Sequence, residues 1–109
     1  IPMARNPDEV TRIARQALDA LSKELEISAA ILFGSYVEGT PHDSSDIDLA
    51  VFTPEASRLK LTEKARLQLH VQRHCASDLE LHLYPDRALA EARPTNFCGY
   101  LLTHGKRLI

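Results

Sequence analysis

Asp46 and Asp48 alternate with Ile47, Leu49 and Val51, and ten residues separate Asp46 from a Gly34-Ser35 turn that ends an apolar run, Ala29-Ala30-Ile31-Leu32-Phe33. Side chains in a strand alternate between faces, so both carboxylates fall on the face opposite the apolar set. Like charges that close are costly unless a cation sits between them. A hard dication held by one or two carboxylates and completed by phosphate oxygens and water meets that need. A later stretch, Asp78-Leu79-Glu80-Leu81-His82-Leu83-Tyr84, also alternates strictly and offers a third carboxylate. Glu80 is the first choice because it lies inside the strand; Asp78 is the runner-up because it also suits a helix-to-strand turn. The bland alternatives are a hairpin whose Asp and Ser residues solvate its turn, and a sheet with one polar, water-facing side.

The elements that must position these residues alternate between helix and strand. Val10, Ile13, Ala14, Ala17, Leu18, Leu21 and Leu25 recur at helical spacing after Pro7-Asp8, which predicts a first amphipathic helix from residue 8 to about 26. Strands are expected near 28–33, over 46–52 and over 78–84. Between the last two, Pro54-Glu55 opens a second helical region that ends near Cys75, with Leu61, Ala65, Leu69 and Ala76 on one side. Pro85-Asp86 stops the third strand and starts a short helix, 97–104 suggests another, and Lys106-Arg107-Leu108-Ile109 a short last strand.

With 109 residues, 44% of them hydrophobic, the chain has material for one core. A single domain over 3–109 is expected, Ile1-Pro2 before the only methionine being set aside as an expression remnant. The formal net charge of −2 provides no basic field for nucleic acid, so a long polynucleotide is not expected as partner. No apolar run reaches the roughly 18 residues that span a bilayer and no signal-peptide core is present, which points to the cytoplasm. Cys75 and Cys98 have no metal-type spacing and are expected as free thiols.

The pattern Gly34-Ser35, ten residues, Asp46-Ile47-Asp48 resembles the polymerase-β-like nucleotidyltransferase superfamily, and the short chain looks most like its minimal nucleotidyltransferases. The resemblance implies an α+β fold, with a small mixed sheet carrying the Gly-Ser turn and the carboxylates on one side and helices on the other. It implies that Gly34 and Ser35 hold a nucleoside triphosphate, and that Asp46, Asp48 and Glu80 bind two Mg²⁺ ions, with Mn²⁺ as a substitute. Glu80 matches the acid of related Glu-Leu-His-Leu-type strands. The implied reaction moves a nucleoside monophosphate, AMP from ATP by family frequency, onto a protein or small-molecule hydroxyl, releasing pyrophosphate. The alternative is a catalytically weak or silent member that acts as antitoxin or regulator of a partner such as a HEPN-type toxin. A second polypeptide or self-association is expected, because so short a chain cannot also hold a large acceptor domain.

One departure is visible. Many relatives carry Arg or Lys just after the turn, where this chain has Tyr36 and Glu38. Phosphate binding is then left to metal, backbone and remote cations such as Lys60, Lys64 or Arg66, which read first as solvated helix charges. His70 and His74 have the spacing of a zinc-protease helix, but Val71 stands where its glutamate belongs, and both read as solvated, opposite the Leu61/Ala65/Leu69 stripe. His82 shares the carboxylate face and reads as a surface histidine, with pairing to a carboxylate as the alternative. His42 and Asp43 are read as loop-shaping, and Phe97, Tyr100, Leu101 and Leu102 as core packing.

Overall fold

Strand β2 (Ile47–Thr53) is buried on both faces along most of its length, and the rest of the fold follows from what covers it. The computed structural model describes residues 5–39 and 46–109; Ile1, Pro2 and Met3, together with the expectations for His42 and Asp43, lie outside the described residues. β2 pairs antiparallel with β1 (Ala29–Phe33) and parallel with β3 (Leu79–Pro85), and β4 (Lys106–Arg107) adds to the other side of β1, giving the order β3-β2-β1-β4. This is the expected mixed sheet.

Ile47, Leu49 and Val51 face one layer, built by α1 (Pro7–Leu21) and α3 (Leu61–His74), where they join Leu18, Leu21, Leu67, Val71 and Leu79. Asn6 starts α1 by accepting from the Glu9 amide at 2.8 Å, with Pro7 behind it in a position where no N–H is missed. α1 ends at Leu21 rather than near 26, and the chain turns through Ser22 so that Leu25 still reaches the core.

The face of α3 differs from the sequence expectation. Leu67 and Val71 are its buried residues, whereas Leu61 is 83% and Leu69 51% exposed. His70 and His74 therefore lie beside Ala65 and Leu69 on the outward surface, not opposite them, with ring centroids 4.5 Å apart. Gln68, next to Leu67, explains the choice: its side chain accepts from the Leu81 amide at 2.7 Å and donates to the Leu79 carbonyl at 2.8 Å, and Gln72 donates to that carbonyl at 3.2 Å. These amides pair the open edge of β3, which the helix can reach only in this rotation.

The opposite face of the sheet is covered only in part. Ala29, Ile31, Ala50 and Phe52 pack against Leu101 of α5 (Phe97–His104), with Ala88 and Leu89 of α4 (Arg87–Ala90) at the margin. Only Leu101 of the expected aromatic and leucine set is buried; Phe97, Tyr100 and Leu102 are 46%, 38% and 41% exposed. Helices thus flank both faces, and the polar ends of β2 and β3 emerge beyond the α5 cover.

Candidate functional site

At the end of β1 the backbone makes its sharpest departure. Gly34 has φ 87° and ψ −162°, a region essentially confined to glycine. The turn passes so near β2 that a Cβ on Gly34 would stand 2.5 Å from Asp48 Oδ2. Ser35 then opens the one-turn helix α2 (Ser35–Glu38), whose Val37 and Glu38 amides donate to the Gly34 carbonyl at 3.1 and 3.0 Å. Gly39, at φ 83° and ψ 19°, closes that helix in the left-handed region.

Register determines which acids meet. Asp48 lies opposite Phe33 across the antiparallel pair and opposite Glu80 across the parallel one, and His82 is opposite Ala50. His82 Nε2 is 3.2 Å from Asp48 Oδ1 and 4.0 Å from Glu80 Oε1, and one ligand atom from each of the three residues falls within 4.8 Å of the others. The Phe33 ring holds the imidazole from the side at a centroid distance of 5.0 Å, and Phe97 backs Phe33 edge-on at 5.6 Å. Asp48 and His82 are mostly covered while Glu80 is half exposed, so the cluster opens to solvent on the Glu80 side.

Asp46 stands just ahead of β2, exposed, and is not part of this close set among the described residues. It lines a cleft of about 350 Å³ with Gln68, Asp78 and Glu80. The fold brings Glu80 and His82 beside Asp48, and Asp46 lies two residues from Asp48 on the same face. Neighbouring strands stand about 4.8 Å apart, whereas residues two apart on one strand are separated by about 6.6 Å.

Asp78 is engaged elsewhere. Arg5 donates to it twice, Nε to Oδ2 at 2.9 Å and a terminal nitrogen to Oδ1 at 3.1 Å, and this pairing raises the Arg5 pKa further. The Arg5 amide also donates to the Tyr36 hydroxyl at 3.2 Å, so one arginine ties the segment before α1 to both α2 and the start of β3. No pattern marks this contact in the sequence, since 73 residues separate the partners. Of the remote cations, Arg66 is tied to Glu24 at 2.9 Å and Lys60 stands exposed at the start of α3. Glu38 accepts a hydrogen bond from the Tyr100 hydroxyl. His82 is the residue whose role sequence reasoning undervalued: its parity with Glu80 was the signal, and the register supplied the partner.

The donor set fits a dication. Two carboxylates and an imidazole converge, and among the described residues the ion pairs give Asp48 and Glu80 no partner other than His82. The Asp48 carboxylate occupies the space that a side chain at position 34 would need.

Comparison with known proteins identifies the family and the fold. A sequence model of the family described as polymerase beta, nucleotidyltransferase matches residues 15–109. The protein adenylyltransferase MntA of Shewanella oneidensis is 36% identical over 77 residues, covering 71% of this chain and 50% of its own length. This chain therefore spans about half the length of that curated relative. A crystal structure of a toxin-antitoxin with AMP-PNP superposes with a TM-score of 0.60 at 27% identity, covering 96% of this chain and 73% of that one. A mutant of the toxin-antitoxin MntA-HpeT superposes with 0.59 at 24% identity and the same coverage, a likeness of fold.

Proposed function

This chain belongs to the polymerase β nucleotidyltransferase family, and on that premise we propose that it transfers AMP from ATP to a hydroxyl of a partner protein, releasing pyrophosphate. The observation that carries the reading is the alignment of Asp48 with Glu80 beneath the Gly34 turn. Asp46, Asp48 and Glu80 would hold the two Mg²⁺ ions, for which Mn²⁺ can substitute. When bound, such ions neutralise charge on the attacking and leaving oxygens of an in-line displacement.

The chain's own groups divide the remaining work. Gly34, lacking a side chain, lets the turn backbone approach the triphosphate, and the Ser35 hydroxyl donates to its β- or γ-phosphate oxygens. Asp48 anchors the site from its covered position. Glu80, on the solvent side, would take the acceptor's proton as the oxygen attacks the α-phosphorus. Positioning and electrostatics supply most of the effect.

A protein acceptor is supported by the MntA relative, a protein adenylyltransferase, and by the toxin-antitoxin assemblies among the neighbours. A HEPN-type toxin encoded beside this chain is the partner we propose. The test incubates the two proteins with ATP labelled at the α-phosphate and, separately, at the γ-phosphate. Label should pass to the partner from the first only, and Asp48→Asn or Glu80→Gln should abolish it. If wild type neutralises the partner without passing label under Mg²⁺ or Mn²⁺, the chain is a silent binding module.

A further inference from the structure

Among the acids and histidines of the described residues, the Asp48, Glu80 and His82 cluster is the one in which an imidazole nitrogen shares a ligand-sized space with two carboxylates. We infer that His82 is a nitrogen ligand that makes this site bind first-row transition dications, Mn²⁺ through Zn²⁺, more tightly than Mg²⁺ before any nucleotide arrives. The inference deepens the proposed function and rests on its reading of Asp48 and Glu80 as metal ligands.

Three observations carry it. First, the spacing suits one ion: with bonds of about 2.1 Å to nitrogen and oxygen, neighbouring ligands of an octahedral or tetrahedral ion are roughly 3.0 to 3.4 Å apart and opposite ones about 4.2 Å. From His82 Nε2, the 3.2 Å to Asp48 matches neighbouring ligands, and the 4.0 Å to Glu80 is near the distance of opposite ones on an octahedral ion. Second, the imidazole is held in place rather than waving in solvent, with Phe33 packed against its ring and Phe97 behind Phe33. Third, parity fixes it there: a side chain two residues from Glu80 on β3 must share its face, and Asp48 on the adjacent strand stands beside both.

The chemical consequence follows from ligand type. Mg²⁺ prefers oxygen ligands and dehydrates reluctantly, whereas imidazole suits Mn²⁺ less than Zn²⁺ but either better than Mg²⁺. Replacing a carboxylate-only set by one with a nitrogen donor therefore tilts selectivity away from Mg²⁺.

The test uses the nucleotide-free chain carrying His70→Ala and His74→Ala, because that neighbouring histidine pair can itself chelate transition metals. Calorimetric titration with Mn²⁺ and with Mg²⁺ is combined with pulsed electron paramagnetic resonance of bound Mn²⁺. Mn²⁺ should bind at least about tenfold more tightly than Mg²⁺ and show coupling to a ¹⁴N nucleus. Adding His82→Gln should remove the coupling and most of the preference while leaving Mg²⁺ affinity within about twofold. If His82→Gln weakens both metals equally, the histidine only steadies Asp48 and the inference is overturned. Persistence of the ¹⁴N coupling in His82→Gln overturns it too. If Asp48→Asn and Glu80→Gln leave both metals bound as in wild type, the carboxylate reading fails and takes the inference with it; if they lose both metals while His82→Gln changes neither, only the inference fails.

Discussion

Replacing Gly34 by alanine should separate the cost of backbone strain from the cost of a displaced carboxylate. The new Cβ would meet Asp48 Oδ2 at 2.5 Å, about 0.9 Å inside ordinary contact. Asp48 must yield, because the other party is backbone. Metal ligation tolerates only about 0.2 Å of error, and a rigid carboxylate that moves Oδ2 this far carries Oδ1, the oxygen beside His82, out of position with it. The φ of 87° adds strain of about 1–3 kcal/mol. At about 4 °C per kcal/mol for a domain near this size, the melting temperature should fall by roughly 4–12 °C. Gly39→Ala is the matched control: its φ is also positive, at 83°, but nothing lies within 4 Å of the new Cβ. Strain there should cost about 1–2 kcal/mol and leave the site alone. Urea unfolding gives the stability of both variants, and calorimetry gives their Mn²⁺ affinity. Both should lose stability, and only Gly34→Ala should lose metal affinity, by at least about tenfold. Retention of wild-type affinity by Gly34→Ala, or an equal loss in Gly39→Ala, would refute the close-approach reasoning.

The rotation of α3 can be checked by chemical denaturation, since Leu67→Ala should cost about 2–5 kcal/mol while Leu61→Ala stays within about 0.5. Gln68→Ala leaves the Leu81 amide without its partner and should cost about 1–3 kcal/mol; Gln72→Ala should cost less, because Gln68 still serves the Leu79 carbonyl. Glu55 is held below its usual pKa of 4.5, first by the Glu26 amide and then by Arg58, so it contributes stability that is present above the unfolded value and lost as pH falls through the folded one. Urea midpoints of wild type should therefore drop more steeply between pH 5 and 3 than those of Glu55→Gln. Burial raises the pKa of the Cys75 and Cys98 thiols, so both should react with iodoacetamide at pH 8 more slowly than an unstructured peptide thiol does.

Local pattern was sufficient wherever one physical rule acted alone. The alternation of β2 and β3 set which residues share a face, because a strand's side-chain period is fixed by its backbone. The position of the helices and strands in order, the Gly34-Ser35 turn and the family resemblance were likewise legible in the residues. Sequence could not rank the neighbours of Asp48. It offered Asp46, two residues away, and only strand pairing shows that Glu80 and His82 also stand beside Asp48. Nor could it decide the rotation of α3, where two leucine stripes compete and the open edge of β3 chooses the one that lets Gln68 reach it. The fate of Asp78 was equally hidden, since Arg5 claims it from the far end of the chain. Such choices depend on contacts between distant segments, which exist only once the sheet has set its register.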